Sequence, residues 1–423
     1  MTRVTWAYKM QAGGGFRPAR VQAPLVAQLA AGFVTERALK RSTGLDPAAL
    51  LLQLDQAGQL ARELRTGRQA WAQLLPQRRP DLAPAATAPP GPLRLVDSAV
   101  VHAAGQGLTL EAPGAWARLR LLQPDLLALL HSLGRGCTLD ELQRQWPGAG
   151  AALDGLLQLI RACGLLQPGP ASHWAAHDLL LHTRTRRGYG ATAVGRQSAT
   201  MPTAQAVPAG DRLALPKGEA ADLQMTLARA LGDRQSLRQH GAVSLSVADL
   251  GRLLWHVFAP QARADGSVHH AYPSGGGCYS LRPHVVVGRC AGLPPGAYAY
   301  EAHMHRLVRV DDGSTPITTM LRDAASSAGQ QVLPQVLLVL CADYARMRSA
   351  YGDLGYSLLL KEVGAVMQTV QLVATALGLA SCPLGTGHAH AFARLAGADA
   401  WQLPSVGEVM LGSRADALGG IGG

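Results

Sequence analysis

Arginines at three positions in the C-terminal half could bind a phosphate group. Arg234, Ser236 and Arg238 lie within five residues, just before a predicted helix, and Arg414 follows the last predicted strand. Guanidinium groups bind phosphate through paired, charge-assisted hydrogen bonds. The alternatives are solvated surface for the arginine pair and a solvated terminal charge for Arg414. The pattern therefore predicts an anion site only if the fold brings these residues together.

Two glycine-rich segments could let a flat or phosphorylated ligand approach the backbone closely. The first is Pro273-Ser274-Gly275-Gly276-Gly277, and the second is Pro383-Leu384-Gly385-Thr386-Gly387. Glycine has no side chain to keep a ligand away from the backbone amides. Neither segment has the spacing of a Walker loop or a GxGxxG fingerprint. The alternatives are an ordinary turn for the first segment and a helix stop for the second.

Among single residues, Tyr351 is the best candidate for acid or base chemistry, with core packing as the alternative. Cys278 lies in the first glycine segment without an obvious base, which favours a buried apolar role. The six cysteines include no CxxC pair and no zinc-type spacing. The sequence therefore predicts no metal site and reduced thiols.

The helices and strands predicted around these residues indicate an α+β fold. In the last 250 residues, helices are predicted at 219–231, 247–257 and 354–379, and strands at 284–289, 307–310, 335–341 and 408–412. Helices and short strands occur without a regular βαβ rhythm. Residues 1–75 are expected to form a helical module, because a helix-like apolar pattern continues after Asp46-Pro47 up to residue 65. A Pro- and Ala-rich linker is predicted at residues 76–92.

Residues 93–168 are predicted to form a winged-helix-like module for peptides or partner proteins, and residues 171–423 the largest domain. In the former, three short strands precede three helices, one of them started by a capping box at Thr138 and Glu141. A structural appendage is the alternative for this module.

The charge of the chain favours acidic partners. Its 423 residues include 39 Lys and Arg against 28 Asp and Glu, a net charge of +11. The basic residues are scattered, which argues against nucleic acid. Neither a signal peptide nor a spanning segment is predicted, so we expect no membrane partner and a cytoplasmic location.

The order of the segments resembles the nitroreductase superfamily, and within it the SagB-type dehydrogenases, which include azoline dehydrogenases of thiazole/oxazole peptide pathways. RxSxR is followed by PSGG, a long helix, GLASCPLG and a late GxR. The stretches HDLLLHTRTRRG and GLPPGAYAYEAHMHRLVRV also look like segments of these proteins. The resemblance covers residues 93–414 and is weakest over residues 1–75.

The resemblance implies a homodimer with FMN at the subunit interface. Arg234, Ser236, Arg238 and Arg414 would contact the FMN phosphate and ribityl chain. Ser274, Gly275 and Gly276 would line the ribityl or the isoalloxazine, and Leu384, Gly385 and Thr386 would pass close to the ring. Tyr351 would be catalytic, as the second member of a Lys-Tyr pair.

The chain departs from the family at acid–base positions. Ala350 replaces the lysine of that pair, and Ala365, Thr369 and Arg282 stand where the family has His, Asn and Glu. The leading hypothesis is FMN-dependent oxidation of a peptide or carrier-bound substrate in ribosomal natural-product biosynthesis, with a leader peptide or a cyclodehydratase as partner. The alternatives are an NAD(P)H-dependent reductase of small molecules and a catalytically decayed scaffold.

Overall fold

A computed structural model describes residues 4–11, 20–77, 92–96, 98–105, 107–113, 115–147, 150–166, 175–185, 210–263, 268–311, 313 and 316–415. The chain divides into two compact units, residues 1–192 and 193–423. None of the helices in these ranges combines the length and the apolar character needed to cross a membrane. All six cysteines lie in these ranges, and all are buried without a disulfide.

The first unit is built on one antiparallel seven-stranded sheet with the order β2-β1-β3-β4-β7-β6-β5. Leucine-rich faces of the helices pack on it. Its strands are β1 (Val4–Met10), β2 (Val34–Thr35), β3 (Leu60–Thr66), β4 (Gln69–Pro76), β5 (Val100–Ala104), β6 (Gly107–Glu111) and β7 (Ala117–Leu121), and its helices are α1 (Ala23–Ala31), α2 (Glu36–Thr43), α3 (Ala48–Gln56), α4 (Asp125–Arg135), α5 (Leu139–Gln145), α6 (Gly150–Ala162) and α7 (Ala176–Arg184).

The prediction of a helical module over residues 1–75 is wrong. Asp46 does cap α3, because its Oδ1 accepts a hydrogen bond from the Ala48 amide at 3.2 Å. The helix ends at Gln56, however, and Gly58 at φ 68° turns the chain into β3. The sequence LARELR fits either periodicity, and pairing with β1 on one side and β4 on the other decides for a strand.

Residues 93–168 contain the predicted three strands followed by three helices, but they do not form a separate sheet. Thr138 and Glu141 form the predicted capping box at the start of α5. β7 pairs with β4, so strands from both sides of the predicted linker share one sheet. Most of that linker, residues 78–91, lies outside the described part of the chain.

The second unit contains an antiparallel seven-stranded sheet with the order β17-β18-β16-β12-β14-β15-β8. It begins at residue 193 rather than at the predicted residue 171, and α7 belongs to the first unit. Its strands are β8 (Arg212–Ala214), β9 (Leu245–Ser246), β10 (Gln261–Ala262), β11 (Val268–His269), β12 (Leu281–Val287), β13 (Cys290–Ala291), β14 (Gly296–Glu301), β15 (Arg306–Arg309), β16 (Val336–Ala342), β17 (Leu379–Leu384) and β18 (Ser405–Ser413), and its helices are α8 (Leu227–Asp233), α9 (Val247–Phe258), α10 (Thr318–Ser327), α11 (Tyr344–Tyr351), α12 (Gly355–Ala376) and α13 (Ala389–Leu395).

The sheet of the second unit is covered on both faces. Alternate residues of the central strands point to opposite faces. Val285, Leu338 and Val409 belong to the core shared with α9 and α12. Val286, Val339 and their neighbours belong to the core shared with α10 and α13. Both faces of the sheet are therefore filled by core side chains, and the candidate site lies along its β17 edge and next to β12.

Candidate active site

The Arg234–Arg238 segment lies along the β17 edge of the sheet. Arg234 ends α8 in an extended conformation. The Leu237 amide donates to the Ser381 carbonyl of β17 at 2.9 Å. The Ser236 hydroxyl accepts from the Gln371 side chain of α12 at 3.3 Å. The segment is thus fixed at its centre, while Arg238 is exposed and Arg234 is half-buried.

Arg414 joins this segment at the end of β18. The Gly241 amide donates to the Ser413 carbonyl at 2.9 Å. A Cβ built on Gly241 would lie 2.5 Å from the Arg414 carbonyl oxygen, so the two backbones are in contact. Among the described residues, no carboxylate forms an ion pair with Arg234, Arg238 or Arg414. The fold therefore places three predicted phosphate ligands along one sheet edge, without anions that would neutralise them.

The first glycine segment forms a tight turn that leads towards β12. Gly276 has φ 56°, a left-handed conformation that glycine adopts readily. The Ser274 hydroxyl donates to Glu362 Oε2 of α12 at 2.6 Å and accepts from the Tyr279 amide at 2.8 Å. This hydroxyl therefore already has two partners inside the protein, which anchor the turn to α12.

Tyr351 lies directly on the glycine turn. A Cβ built on Gly276 would lie 2.1 Å from the Tyr351 Oη, and one on Gly275 would lie 3.8 Å from its Cε2. Tyr351 is half-buried at the end of α11. The structure therefore brings the predicted acid–base residue and the predicted ligand-binding turn into contact.

The second glycine segment follows β17. Leu384 is buried in the core below, whereas Gly385 and Thr386 are exposed. The Thr386 hydroxyl is 2.8 Å from the Ser327 hydroxyl at the end of α10. Gly385 and Thr386 are thus at the surface, next to β17, along which the Arg234–Arg238 segment lies.

The predicted site residues form two groups within one chain. Group 1 lies along β17 and β18 and contains Arg234, Ser236, Arg238, Leu384, Gly385, Thr386 and Arg414. Group 2 lies where α11 and α12 meet β12 and contains Ser274, Gly275, Gly276 and Tyr351. β12 is the third strand from β17, a distance of about 14 Å at ordinary strand spacing. The α12 contacts of the two groups, Gln371 and Glu362, are nine residues apart, or about 13 Å along the helix.

The positions where the chain departs from the family hold no replacement acid or base. Ala350 is fully buried. The Thr369 hydroxyl donates to the Ala365 carbonyl within α12 at 2.8 Å. Lys361 is exposed. Arg282 is 3.4 Å from the Asp343 carboxylate, and burial lowers its pKa. None of these side chains takes over the role of the missing lysine.

Two buried acids and two glutamines support the site, and of these the sequence singles out only Glu362, as a structural partner or a residue near the flavin. Glu362 is 3% exposed, and burial raises its pKa although the Ser274 hydroxyl partly offsets this shift. Glu408, 1% exposed, lies beneath the loop after β17. Gln335 binds the backbone around Gly241, and Gln371 binds Ser236. The position of Glu362 inside an apolar helix is a sequence feature that indicates a buried acid; the other three show no such feature.

Comparison with known proteins identifies two regions. The nitroreductase family model matches residues 231–412. The model for the cyanobactin oxidase ThcOx matches residues 93–190. A protein of Methanocaldococcus jannaschii, whose name places it among the nitroreductases, is 30% identical over 165 residues, which are 38% of this chain and 79% of that protein.

Solved structures show weaker likeness. A nitroreductase-named protein from Anabaena variabilis is 15% identical, with 97% of this chain and 80% of that chain covered and a TM-score of 0.44. The E. coli microcin synthetase McbBCD complex with truncated pro-MccB17 bound is 18% identical, with coverage of 58% and 84% and a TM-score of 0.36.

The sequence matches confirm the predicted enzyme class and the α+β fold with a C-terminal nitroreductase region. The match to ThcOx over residues 93–190 supports the resemblance to SagB-type dehydrogenases. The nitroreductase match spans the Arg234–Arg238 segment, both glycine segments and Tyr351. The chain belongs to the nitroreductase family of flavin-dependent oxidoreductases.

Proposed function

We propose that this protein is an FMN-dependent dehydrogenase that oxidises a peptide substrate in ribosomal natural-product biosynthesis, converting an azoline to an azole or carrying out a related desaturation. The observation that carries the proposal is the joining, in one chain, of a nitroreductase region to a region that matches the cyanobactin oxidase ThcOx. The first region supplies flavin chemistry, and the second relates the chain to a peptide-modifying oxidase.

The residues of group 1 fit the phosphate and ribityl ends of FMN. Arg234, Arg238 and Arg414 provide positive charge without a carboxylate partner in the described ranges, and Ser236 adds a hydroxyl. A phosphate removed from water needs such converging donors to offset its desolvation. The exposed residues Gly385 and Thr386, directly after β17, would line the ring.

A homodimer would account for the distance between the two groups. In one chain, about three strand spacings separate the arginine segment from the glycine turn. In a two-fold dimer, group 1 of one subunit can face group 2 of its partner, and the symmetry creates two equal sites. Each FMN would then be bound by group 1 of one chain and by Ser274, Gly275 and Gly276 of the other.

In the proposed reaction, FMN held by these residues would supply the acceptor for a hydride from a substrate carbon. The neighbouring carbon loses a proton, and we assign Tyr351 to this transfer because it is the acid–base side chain in contact with the glycine turn. Molecular oxygen would then reoxidise the flavin. The packing of Tyr351 on Gly276 holds its phenol against the turn.

The first unit would recruit the substrate. Its ThcOx-like region, residues 93–190, is the part related to a peptide-modifying enzyme. The net charge of +11 would attract an acidic leader peptide. A cyclodehydratase that forms the azoline, or a carrier protein that delivers the substrate, is the partner that this chemistry requires.

One observation favours a second function. Ala350 is fully buried where azoline dehydrogenases have a lysine, so the proton acceptor associated with azoline oxidation is absent. A reductase that uses NAD(P)H to reduce nitro, quinone or ene compounds would not need that lysine. The missing lysine also motivates the scaffold alternative. The arginines of group 1, which form no ion pair with any described residue, instead support FMN binding.

The test is an absorption spectrum of the purified protein, followed by release and identification of the chromophore. Flavin bands with FMN released are expected. Anaerobic mixing with azoline peptides should then bleach the flavin, whereas bleaching by NAD(P)H alone would support the reductase. A colourless protein that takes up no added FMN would contradict both enzyme functions.

A further inference from the structure

Glu408 is a buried acid beneath the loop that follows β17. It projects from β18 towards the core shared with α10 and α13. Its Oε1 accepts a hydrogen bond from the His388 amide at 3.2 Å, and its Oε2 has no partner among the described residues. A Cβ built on Gly387 would lie 2.6 Å from Oε1, so the carboxyl group packs directly against the loop. The protonation state of Glu408 is therefore linked to its contact with that loop.

The surroundings of Glu408 contain little that would stabilise a negative charge. Asp323 on α10 adds a second acid nearby. Cys341 on β16 stays a neutral thiol because burial raises its pKa well above the usual value. His284 on β12 faces the same core and is neutral, because burial lowers its pKa to about 4. The His388 ring accepts an amide hydrogen bond at Nδ1. No cation in the described ranges forms an ion pair with Glu408.

These surroundings put the titration of Glu408 near neutrality. Burial raises its pKa, the His388 amide partly offsets this, and Asp323 adds to the increase, with a result of about 7. A buried carboxylate with a single hydrogen bond is costly, so the proton is retained at a higher pH than usual. Added negative charge near the loop would therefore favour the protonated form of Glu408.

We propose that Glu408 is a proton-dependent positioning residue, whose carboxylate takes up one solvent proton when the flavin held against the Leu384–Gly387 loop gains negative charge. This inference rests on the proposed function, which places Leu384, Gly385 and Thr386 beside the flavin ring. Hydride transfer gives the flavin two electrons and one proton, and thus one added negative charge. At Glu408 one O–H bond forms with a proton from solvent, and no electrons are transferred. The step therefore neutralises the carboxylate.

The coupling acts in both directions. Negative charge on the ring raises the proton affinity of Glu408, so a proton on Glu408 must favour the reduced flavin by the same free energy. Between the two pKa values of Glu408, with oxidised and with reduced flavin, reduction binds one additional proton. The flavin potential should therefore fall more steeply with pH inside this window than on either side of it.

Spectroelectrochemical titration of the flavin-bound protein from about pH 5 to about pH 9 tests the proposal across the range where Glu408 changes charge. The wild type should show the steeper window, and Glu408→Gln should lose it. Asp323→Asn should move the start of the window to lower pH, because removing a negative charge lowers the pKa of Glu408. Glu301→Gln is the control, since Glu301 forms an ion pair with Arg306 on β14 and β15.

An infrared titration of the flavin-free protein gives an independent measurement. A carbonyl band of a protonated carboxyl group should titrate near neutral pH in the wild type. The part of this band that belongs to Glu408 should be absent from Glu408→Gln and persist in Glu301→Gln, and any band left in Glu408→Gln belongs to other buried acids such as Glu362. Bound flavin with identical potential profiles in wild type and Glu408→Gln would overturn the coupling alone. If Glu408→Gln does not fold, an unmoved window in Asp323→Asn would overturn it. Failure to bind any flavin would contradict the proposed function, while the infrared band would still report the titration.

Discussion

Gly276 should tolerate no side chain because of Tyr351. Gly276→Ala and Gly277→Ala both place a Cβ at a positive φ, which costs about 1–2 kcal/mol. At Gly277 nothing lies within 4 Å of the new Cβ, whereas at Gly276 the Tyr351 Oη would be 2.1 Å away. Overpacking should cost Gly276→Ala roughly 1–3 kcal/mol more. Urea unfolding of the two variants measures this difference.

The same contact predicts a partial rescue. Removing the phenol oxygen with Tyr351→Phe leaves the ring carbon Cζ, at 3.2 Å, as the nearest atom to a Cβ on residue 276. The double variant Gly276→Ala/Tyr351→Phe should therefore be more stable than Gly276→Ala alone. Equal stability of these two variants would show that the phenol moves away without cost and that Tyr351 is not fixed by the turn.

Tyr351 should affect turnover without affecting flavin binding. If it transfers the substrate proton, Tyr351→Phe should lower kcat by about a hundredfold or more. The Kd for FMN should stay unchanged, since the phenol group is not assigned to the cofactor. Tyr344→Phe is the matched control, because Tyr344 lies on the same helix and packs against Tyr356. Stopped-flow measurement of flavin reduction, with similar rates in both variants, would contradict the assignment.

Arg238 should contribute to FMN affinity as a charged ligand of the phosphate. Losing one charge-assisted hydrogen bond costs about 1.5–3 kcal/mol, so Arg238→Ala should weaken binding roughly ten- to hundredfold. Arg229→Ala is the matched control, because Arg229 on α8 is exposed and forms an ion pair with Asp233. Flavin fluorescence titration measures both affinities, and equal values would place the phosphate elsewhere.

At the scale of elements, Gln335 connects the arginine segment to the sheet. Its side chain is 2% exposed and bonds the amides of Leu245 and Ser413 and the carbonyls of Gly241 and Val243. Gln335→Ala would remove the side-chain partner of the Leu245 and Ser413 amides, whereas the Gly241 and Val243 carbonyls keep hydrogen bonds from Arg289 and the Ser413 hydroxyl. This loss should lower the free energy of unfolding by about 2–3 kcal/mol.

Gln331→Ala, at an exposed position four residues earlier, is the control for this change and should alter stability by less than about 0.5 kcal/mol. Denaturant unfolding with added FMN measures both variants. A similar stability of the two would show that the Gln335 network contributes nothing beyond the sheet itself.

Elements with strong local patterns were predictable from the sequence. The predicted helices at 247–257 and 354–379 correspond to α9 and α12, and the Ser246 cap of α9 is present, with its hydroxyl accepting from the Asp249 amide. The predicted helix at 219–231 is interrupted, because Thr226 starts a new helix after a short 3-10 turn. Local sequence patterns thus predicted which helices exist more reliably than they predicted where each helix begins and ends.

The strands of the first unit could not be predicted in the same way. β4 gains its partner β7 from more than 40 residues later, beyond a Pro-rich stretch that looked like a domain boundary. β3 has a pattern that also fits a helix. In the candidate site, the arginine segment and the glycine segments could be recognised from the sequence. Glu408 could not, because it is a single acid in an apolar strand. Its importance depends on Gly387 and Asp323, which only the fold brings near it.

At the scale of the whole molecule, the separation of group 1 from group 2 requires an explanation. If FMN lies between two subunits, each site takes group 1 from one chain and group 2 from the other. An Arg238→Ala subunit then damages group 1 in one site, and a Tyr351→Phe subunit damages group 2. A hybrid dimer of the two variants would combine both lesions in one site and leave the other site intact.

Mixing the two variants, at an FMN concentration too low to fill the Arg238→Ala site, should therefore restore activity. With random exchange of equal amounts, half of the dimers are hybrids and each has one intact site, so about a quarter of the wild-type activity should return. Size-exclusion chromatography with light scattering checks that the protein is a dimer before and after mixing. Mixing either variant with itself is the control. No recovery in a verified hybrid would mean that each chain builds its site alone, and that one FMN spans both groups within a single subunit.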